Sequence, residues 1–414
     1  MTPARARMKL AALSLALLAA AVQAAPEFSG QVRPQWLDQQ ANAAGPLAQA
    51  VALQPGIAAL PRSHGAIETE LRVSGHGLNF VGTERQERIE GDRLRSHGWV
   101  NELYGSADAA GWSFSAGKRI VAWDVGYGFR PNDVVEQETR RTLLSVTPEG
   151  RPLLMAEHFD ASTAWSVVLV NPTKPRDQVG ADEPALAARV YQRDGSVDWH
   201  GFARVGAHTG ASLGAAAAWV ASDAVELHGS VRWLARADTL ASDATGASLF
   251  HANPWQAART GPTGQVLIGG TWTNEAQLSL LAEAWWDGTA LSDAQWDAWN
   301  ARNRGLASLV GTPAPTSAVA GNLGWQASAF NASASLRRAN LFARLSWQHD
   351  KWQPALDLLF TPADRGRVVT GSLGWQGDRV RFDAGWRFYG GPADALLAQL
   401  PTRRIGYLAV TWSF

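Results

Sequence analysis

The chain has 414 residues, 46% of them hydrophobic, with 37 Lys and Arg against 37 Asp and Glu and no Cys. The absence of Cys excludes a disulfide framework, a thiolate metal site and a Cys nucleophile, and the balanced charge excludes a nucleic-acid partner. The mean hydropathy of −0.16, with no apolar run near the ~20 residues a membrane helix needs after the first 24, leaves a closed barrel as the only way to span lipid.

In chain order, Arg5, Arg7 and Lys9 precede an apolar run from Leu10 to Val22 and then Gln23-Ala24, the pattern of a secretory signal peptide over residues 1–24. Cleavage is expected after Ala24, since the next bond would leave Pro26 at the first mature position. Removing the three leader cations from the 37 leaves 34 Lys and Arg against 37 Asp and Glu, near −3. Twenty Trp against three Met fit aromatic girdles better than a water-soluble core.

Period-two alternation then recurs along residues 25–414. Phe28, Val32 and Trp36 oppose Gln31, Arg33 and Gln35; Ile67, Leu71 and Val73 oppose Glu68, Glu70 and Arg72. Each apolar face is about ten residues long, the length of a tilted transmembrane strand. Strands are expected near 28–37, 65–75, 77–87, 97–107, 111–121, 152–160, 163–171, 185–194 and 197–208. Others follow near 211–221, 225–236, 264–273, 277–287, 339–349, 352–361, 367–376, 379–389 and 404–414. This is an all-β, antiparallel up-and-down transmembrane barrel of about 18 strands, or 16 on a stricter count. The 77–87 segment is interrupted by Gly82-Thr83-Glu84-Arg85, and 316–338 has room for extra strand. Connections on one side are short and most on the other are long, the asymmetry of an outer-membrane barrel. Ser292 to Asn300 reads as a helix capped by Ser292, with Trp296 and Trp299 on one face as rim anchors or a stacking platform for sugars.

The polar strand faces are rich in Arg: Arg72, Arg204, Arg232, Arg344, Arg379, Arg381 and Arg387, with Asp383 among the acids. Such charges either pair to stiffen a wet lumen or bias a path toward anions. The connection 122–151, entered from Gly117-Lys118-Arg119, carries Trp123-Asp124, then Arg130-Pro131-Asn132-Asp133, then Glu136, Glu138, Arg140 and Arg141. Nothing joins the nine scattered His residues to a nucleophile, so no enzymatic activity and no cofactor or metal is expected.

The last strand, Tyr407 to Phe414, places Leu408, Val410, Trp412 and Phe414 on one face and ends on a carboxy-terminal Phe. With the leader, this resembles the Gram-negative outer-membrane porins. The resemblance implies Phe414 as the signal read by the barrel-assembly machinery, residence in outer-membrane lipid, and a homo-oligomer, a trimer among the options. It also implies that loop 122–151 folds inward as a constriction. The segments Gly117-Lys118-Arg119, Trp123-Asp124 and Arg130-Pro131-Asn132-Asp133 are similar to motifs of a family of uncharacterised proteobacterial outer-membrane barrels. The function expected is a porin-like passive channel for small polar or anionic solutes. Pore-lining or constricting residues would be Arg72, Arg119, Asp124, Arg130, Asp133, Arg204, Arg232, Arg344, Arg379, Arg381, Asp383 and Arg387. The alternatives are an export conduit for a surface polymer and a closed structural or lipid-handling barrel.

Overall fold

The computed structural model describes residues 26–89, 91–137 and 148–414. The expected signal peptide over residues 1–24, Glu138, Arg140 and Arg141 lie outside the described residues. In chain order the strands are β1 (Glu27–Ala41), β2 (His64–Gly75), β3 (Leu78–Ile89), β4 (Leu94–Ala109), β5 (Trp112–Arg119), β6 (Arg151–Phe159) and β7 (Thr163–Val170). Next come β8 (Ala185–Asp194), β9 (Val197–Gly206), β10 (Gly210–Ser222), β11 (Val225–Leu234), β12 (Asp238–Ser242), β13 (Trp255–Arg259), β14 (Thr263–Thr273) and β15 (Leu278–Asp287). The last are β16 (Ala339–Trp347), β17 (Trp352–Thr361), β18 (Gly366–Gln376), β19 (Val380–Gly390) and β20 (Thr402–Ser413).

Eighteen of these form one antiparallel sheet in sequence order, and β20 pairs with β1 to close it. Only β12 and β13 stand apart, as a hairpin in the connection between β11 and β14. Closure leaves no unpaired edge, which is what lipid demands of a sheet. Phe414 completes it: its amide and carbonyl exchange 3.0 Å hydrogen bonds with those of Gly30. A Cβ at Gly30 would lie 2.7 Å from the Phe414 ring, so only glycine admits that ring.

Outward side chains are the apolar ones: Phe28, Ile268, Trp386 and Leu408 are each more than 60% exposed. In water such a surface would drive aggregation; around a closed barrel it is the lipid-facing belt. At one end the strands join through tight turns. His76-Gly77 (φ +54°, +73°) and Ala110-Gly111 (+51°, +79°) are two-residue turns with both φ positive, the twist that closes a hairpin without splaying it.

Near Gly82 the strand continues unbroken, and the irregularity belongs to its partner. The β3–β4 register shifts between Val81 and Gly82, so that Asn101 of β4 is an extra residue, and its side chain accepts from buried Thr83 at 2.6 Å. With 16 residues, β4 is longer than the roughly ten that cross lipid. Paired strand therefore reaches Ile89 and Leu94, and only residues 90–93 connect them where a loop over 88–96 was expected.

The room for extra strand at 316–338 is filled by helix instead. Residues 316–325 form a helix and 326–331 a 3-10 turn, because Val319 and Leu323 repeat at helical spacing and pack with Ala50 and Leu306. The expected capped helix is present and longer. Of the four α-helices among the described residues, α1 (Pro46–Leu53), α2 (Asp293–Ala307), α3 (Thr316–Trp325) and α4 (Leu396–Gln399), α2 starts on Ser292, whose side chain accepts from the Gln295 amide in a capping box. Trp296 and Trp299 are 1% and 3% exposed, packed on Phe330 and Leu396. No ring face is open to a sugar, and the platform reading gives way to anchoring. The long connections thus build an ordered cap over one mouth of the barrel.

Candidate functional site

Residues 120–137 run along the inner wall. Val121, Trp123, Val134 and Val135 are buried against Leu153, Met155, Val168, Val170, Ala187 and Phe202 of β6 to β9. This accounts for the sequence of β7, which is apolar on both faces: Val167 and Leu169 meet lipid while Val168 and Val170 meet the loop. Further on, Phe129 stacks on Trp285 at 5.6 Å and joins Leu267 of β14.

Polar anchors set the register of this segment. Asp124, at φ +98°, accepts from the Asn132 amide at 2.5 Å and the Ser230 hydroxyl at 2.9 Å. The Asn132 side-chain amide donates to Ser230 Oγ at 2.8 Å and to the Val231 and Ala215 carbonyls at 3.0 and 3.3 Å. Gly214 makes room for it, since a Cβ there would fall 1.8 Å from Asn132 Oδ1. The Glu283 carboxylate of β15 accepts the Tyr127 and Gly128 amides at 2.6 Å each and lies 3.0 Å from His228 Nε2. Charge-assisted bonds of this kind contribute about 1.5–3 kcal/mol each. The motif residues Trp123, Asp124 and Asn132 are therefore the points at which the segment is fastened.

Inside the barrel lie an outer cavity of about 830 Å³ under the cap and another of about 980 Å³ toward the short turns. Both are lined by Arg344, Asp357, Thr370 and Arg387. These four stand directly opposite one another across β16, β17, β18 and β19. Arg344 Nη1 donates to both Asp357 oxygens at 3.0 and 3.1 Å, and Arg387 Nε donates to Thr370 Oγ1 at 2.9 Å. Tyr127, 43% exposed, reaches in from the loop with its ring 5.7 Å from the Arg344 guanidinium. The outer cavity is lined by six Arg against three Asp, the inner by five Arg against three acids.

The other expected residues are distributed around this neck. Arg130, Asp133, Arg204 and Arg232 line the outer cavity; Arg204 pairs with Glu183 at 2.8 Å and Arg232 donates to the Pro131 carbonyl at 3.0 Å. Arg72, Arg381 and Asp383 line the inner one, with Arg72 held by Glu70 and Arg381 by Asp383. Arg119 lies under the ring of Tyr104 and beside Glu157, and lines neither cavity. Asp124 is an anchor rather than a lining group. Arg379 is exposed in the short turn before β19, away from both cavities.

No protein-family model and no curated protein matches the sequence. Among solved structures, the chain is similar to Pseudomonas aeruginosa OccK5 (OpdH), at 9% identity and a TM-score of 0.53, over 94% of this chain and 98% of that one. It also aligns with a mutant of the Rh. blastica porin (10% identity, TM-score 0.44, 94% and 100% of the two chains) and with Salmonella typhi OmpF in complex with daunomycin (9%, 0.44, 94% and 97%). Only the first similarity is strong enough to bear on the fold, and it agrees with the closed 18-stranded sheet and its lipid-facing belt. The chain has the fold of a porin-type β-barrel.

Several residues of this porin-type barrel were not singled out by sequence. Thr370 and Phe342 are ordinary strand residues until the β16–β19 register sets them beside the arginines. Glu136, by contrast, was visible as part of the loop but not as a buried acid. It is 4% exposed, accepts the Val121 amide at 3.0 Å and sits 3.7 Å from Arg151. Burial pushes its carboxyl up to about 7, with Asp133 and Glu102 adding repulsion and the Val121 and Arg151 contacts opposing. Its ordinary value is 4.5, so protonation favours the seated loop: the contribution is fully present below 4.5 and is lost as pH rises through about 7. A shift of this size corresponds to roughly 3 kcal/mol. Proteolytic nicking of residues 120–137 is expected to become faster between pH 5 and pH 8, and Glu136→Gln to hold it at the low-pH rate throughout. Equal rates at the two pH values in the unaltered protein would contradict this.

Proposed function

We propose that this barrel is a passive channel for small polar and anionic solutes, with selectivity set where the two cavities meet. The observation that carries this reading is that Arg344, Asp357, Thr370 and Arg387 line both the outer and the inner cavity. A solute moving between the cavities passes two guanidinium groups and one carboxylate, with the Tyr127 ring beside Arg344. The remaining arginines bias both approaches toward negative charge, and a lumen lined this way needs no cofactor to conduct. Residues 120–137, held by their anchors to the inner wall, narrow the path. In the same reading Phe414 serves the barrel-assembly machinery and residues 1–24 direct export.

The deciding experiment is single-channel recording of the refolded mature protein in a planar bilayer under a KCl gradient. Stable steps with a reversal potential favouring chloride are the expected result. A barrel that is folded, by its resistance to dissociation in cold detergent, yet never conducts would sink the channel reading and turn attention to export.

A further inference from the structure

The polar row at the neck has a neighbour of opposite character. One inward position nearer the cap, Phe342, Leu359, Val368 and Tyr389 stand opposite one another across the same four strands, β16 to β19. All four line the outer cavity. A wet lumen alternates apolar-out and polar-in, and here the inward set is apolar for a whole row before the charged row begins. Tyr127 of the inner loop extends the surface by stacking on Phe342 at 5.9 Å. The wall therefore presents an apolar step directly above a row with two guanidinium groups and one carboxylate.

A purely hydrophilic solute gains nothing from such a step, since it would lose hydration against hydrocarbon with no hydrogen bond in return. A solute with an anionic head and a short hydrocarbon tail matches both rows at once. We infer that the channel holds amphipathic monoanions at this point, with the head at Arg344 and Arg387 and the tail along Phe342, Leu359 and Val368. This deepens the channel reading above and rests on it. The head takes a bidentate or point contact from the guanidinium groups, while the tail transfers from water at about 0.8 kcal/mol per buried methylene. Entry tail-first or head-first is equivalent for binding; residence is set by how much tail the apolar row covers.

The test compares hexanoate with acetate, two monocarboxylates of equal charge that differ by four methylenes, as blockers of chloride current through single channels at neutral pH. With about half of that extra tail covered, hexanoate is expected to block at a concentration at least tenfold lower. In the double variant Leu359→Asn, Val368→Thr the ratio of the two blocking concentrations falls toward one. Equal block by hexanoate and acetate in an unaltered, conducting channel overturns the inference while leaving the channel reading intact. Should the barrel not conduct, equilibrium dialysis of labelled hexanoate against protein in nanodiscs decides separately. Saturable uptake above that of empty nanodiscs, lost in the double variant, supports the amphipathic site without a channel, and no uptake refutes it.

Discussion

Replacing Asn132 and Glu283 together by alanine is expected to raise single-channel conductance and to add flickering between levels. Asn132 makes three hydrogen bonds to β10 and β11, and Glu283 holds the Tyr127 and Gly128 amides. These are the polar fastenings of the middle of the inner loop, and four of the five partners are backbone groups that no repacking replaces. With roughly 1–3 kcal/mol lost per bond, the seat of the segment weakens by several kcal/mol, while the hydrogen-bonded wall of the barrel is untouched. The apolar contacts of Trp123 and Val134 keep the loop tethered, so flickering rather than a clean large pore is the expected signature. Gly214→Val should give the same behaviour from the barrel side, because its Cβ would occupy the position of Asn132 Oδ1. Unchanged conductance and noise in both variants would show that residues 120–137 do not restrict the path.

The second large effect concerns charge at the neck. Arg344→Gln with Arg387→Gln leaves Asp357 as the one charge of that row, changing its sum from +1 to −1, and the reversal potential under a KCl gradient should move toward potassium. A unit charge about 4 Å from the path acts with about 1 kcal/mol in a watery lumen, about fivefold per charge, so the two-unit change corresponds to roughly a thirtyfold change in relative permeability. Asp357→Asn is expected to move the potential the opposite way, since it removes the acid and leaves both guanidinium groups. The two shifts having the same sign, or neither exceeding measurement scatter, would place selectivity elsewhere. Arg379→Gln provides the comparison, since that side chain is exposed in a turn and is expected to leave the potential where it is.

The strands were legible because lipid imposes a pattern that neighbours in sequence can report. A side chain on a membrane strand faces either hydrocarbon or lumen, so Leu408, Val410, Trp412 and Phe414 announce their strand without reference to any other. The short turns were legible to within a residue for a related reason: adjacent strands must close within two residues, and the expected Gly75-His76 and Ala109-Ala110 lie one residue before the turns that form, His76-Gly77 and Ala110-Gly111. The outer connections were not. Val319 and Leu323 carry a helical spacing, but only their packing on Ala50 and Leu306 shows which helices the cap contains. The sugar-platform reading of Trp296 and Trp299 failed because their burial depends on Phe330 and Leu396, distant in sequence.

The sequence by itself determined a Cys-free chain whose period-two segments make a barrel of about 18 strands with an arginine-rich interior. The tertiary structure decided which of those arginines meet. Arg344, Asp357, Thr370 and Arg387 form one row, and Phe342, Leu359, Val368 and Tyr389 the next, only through the registers of β16 to β19. Moving any one strand by two residues would keep every side chain on its face and break both rows. Facing is a local property with a period of two; register is set by turns and pairing between strands, and the neck is made of register.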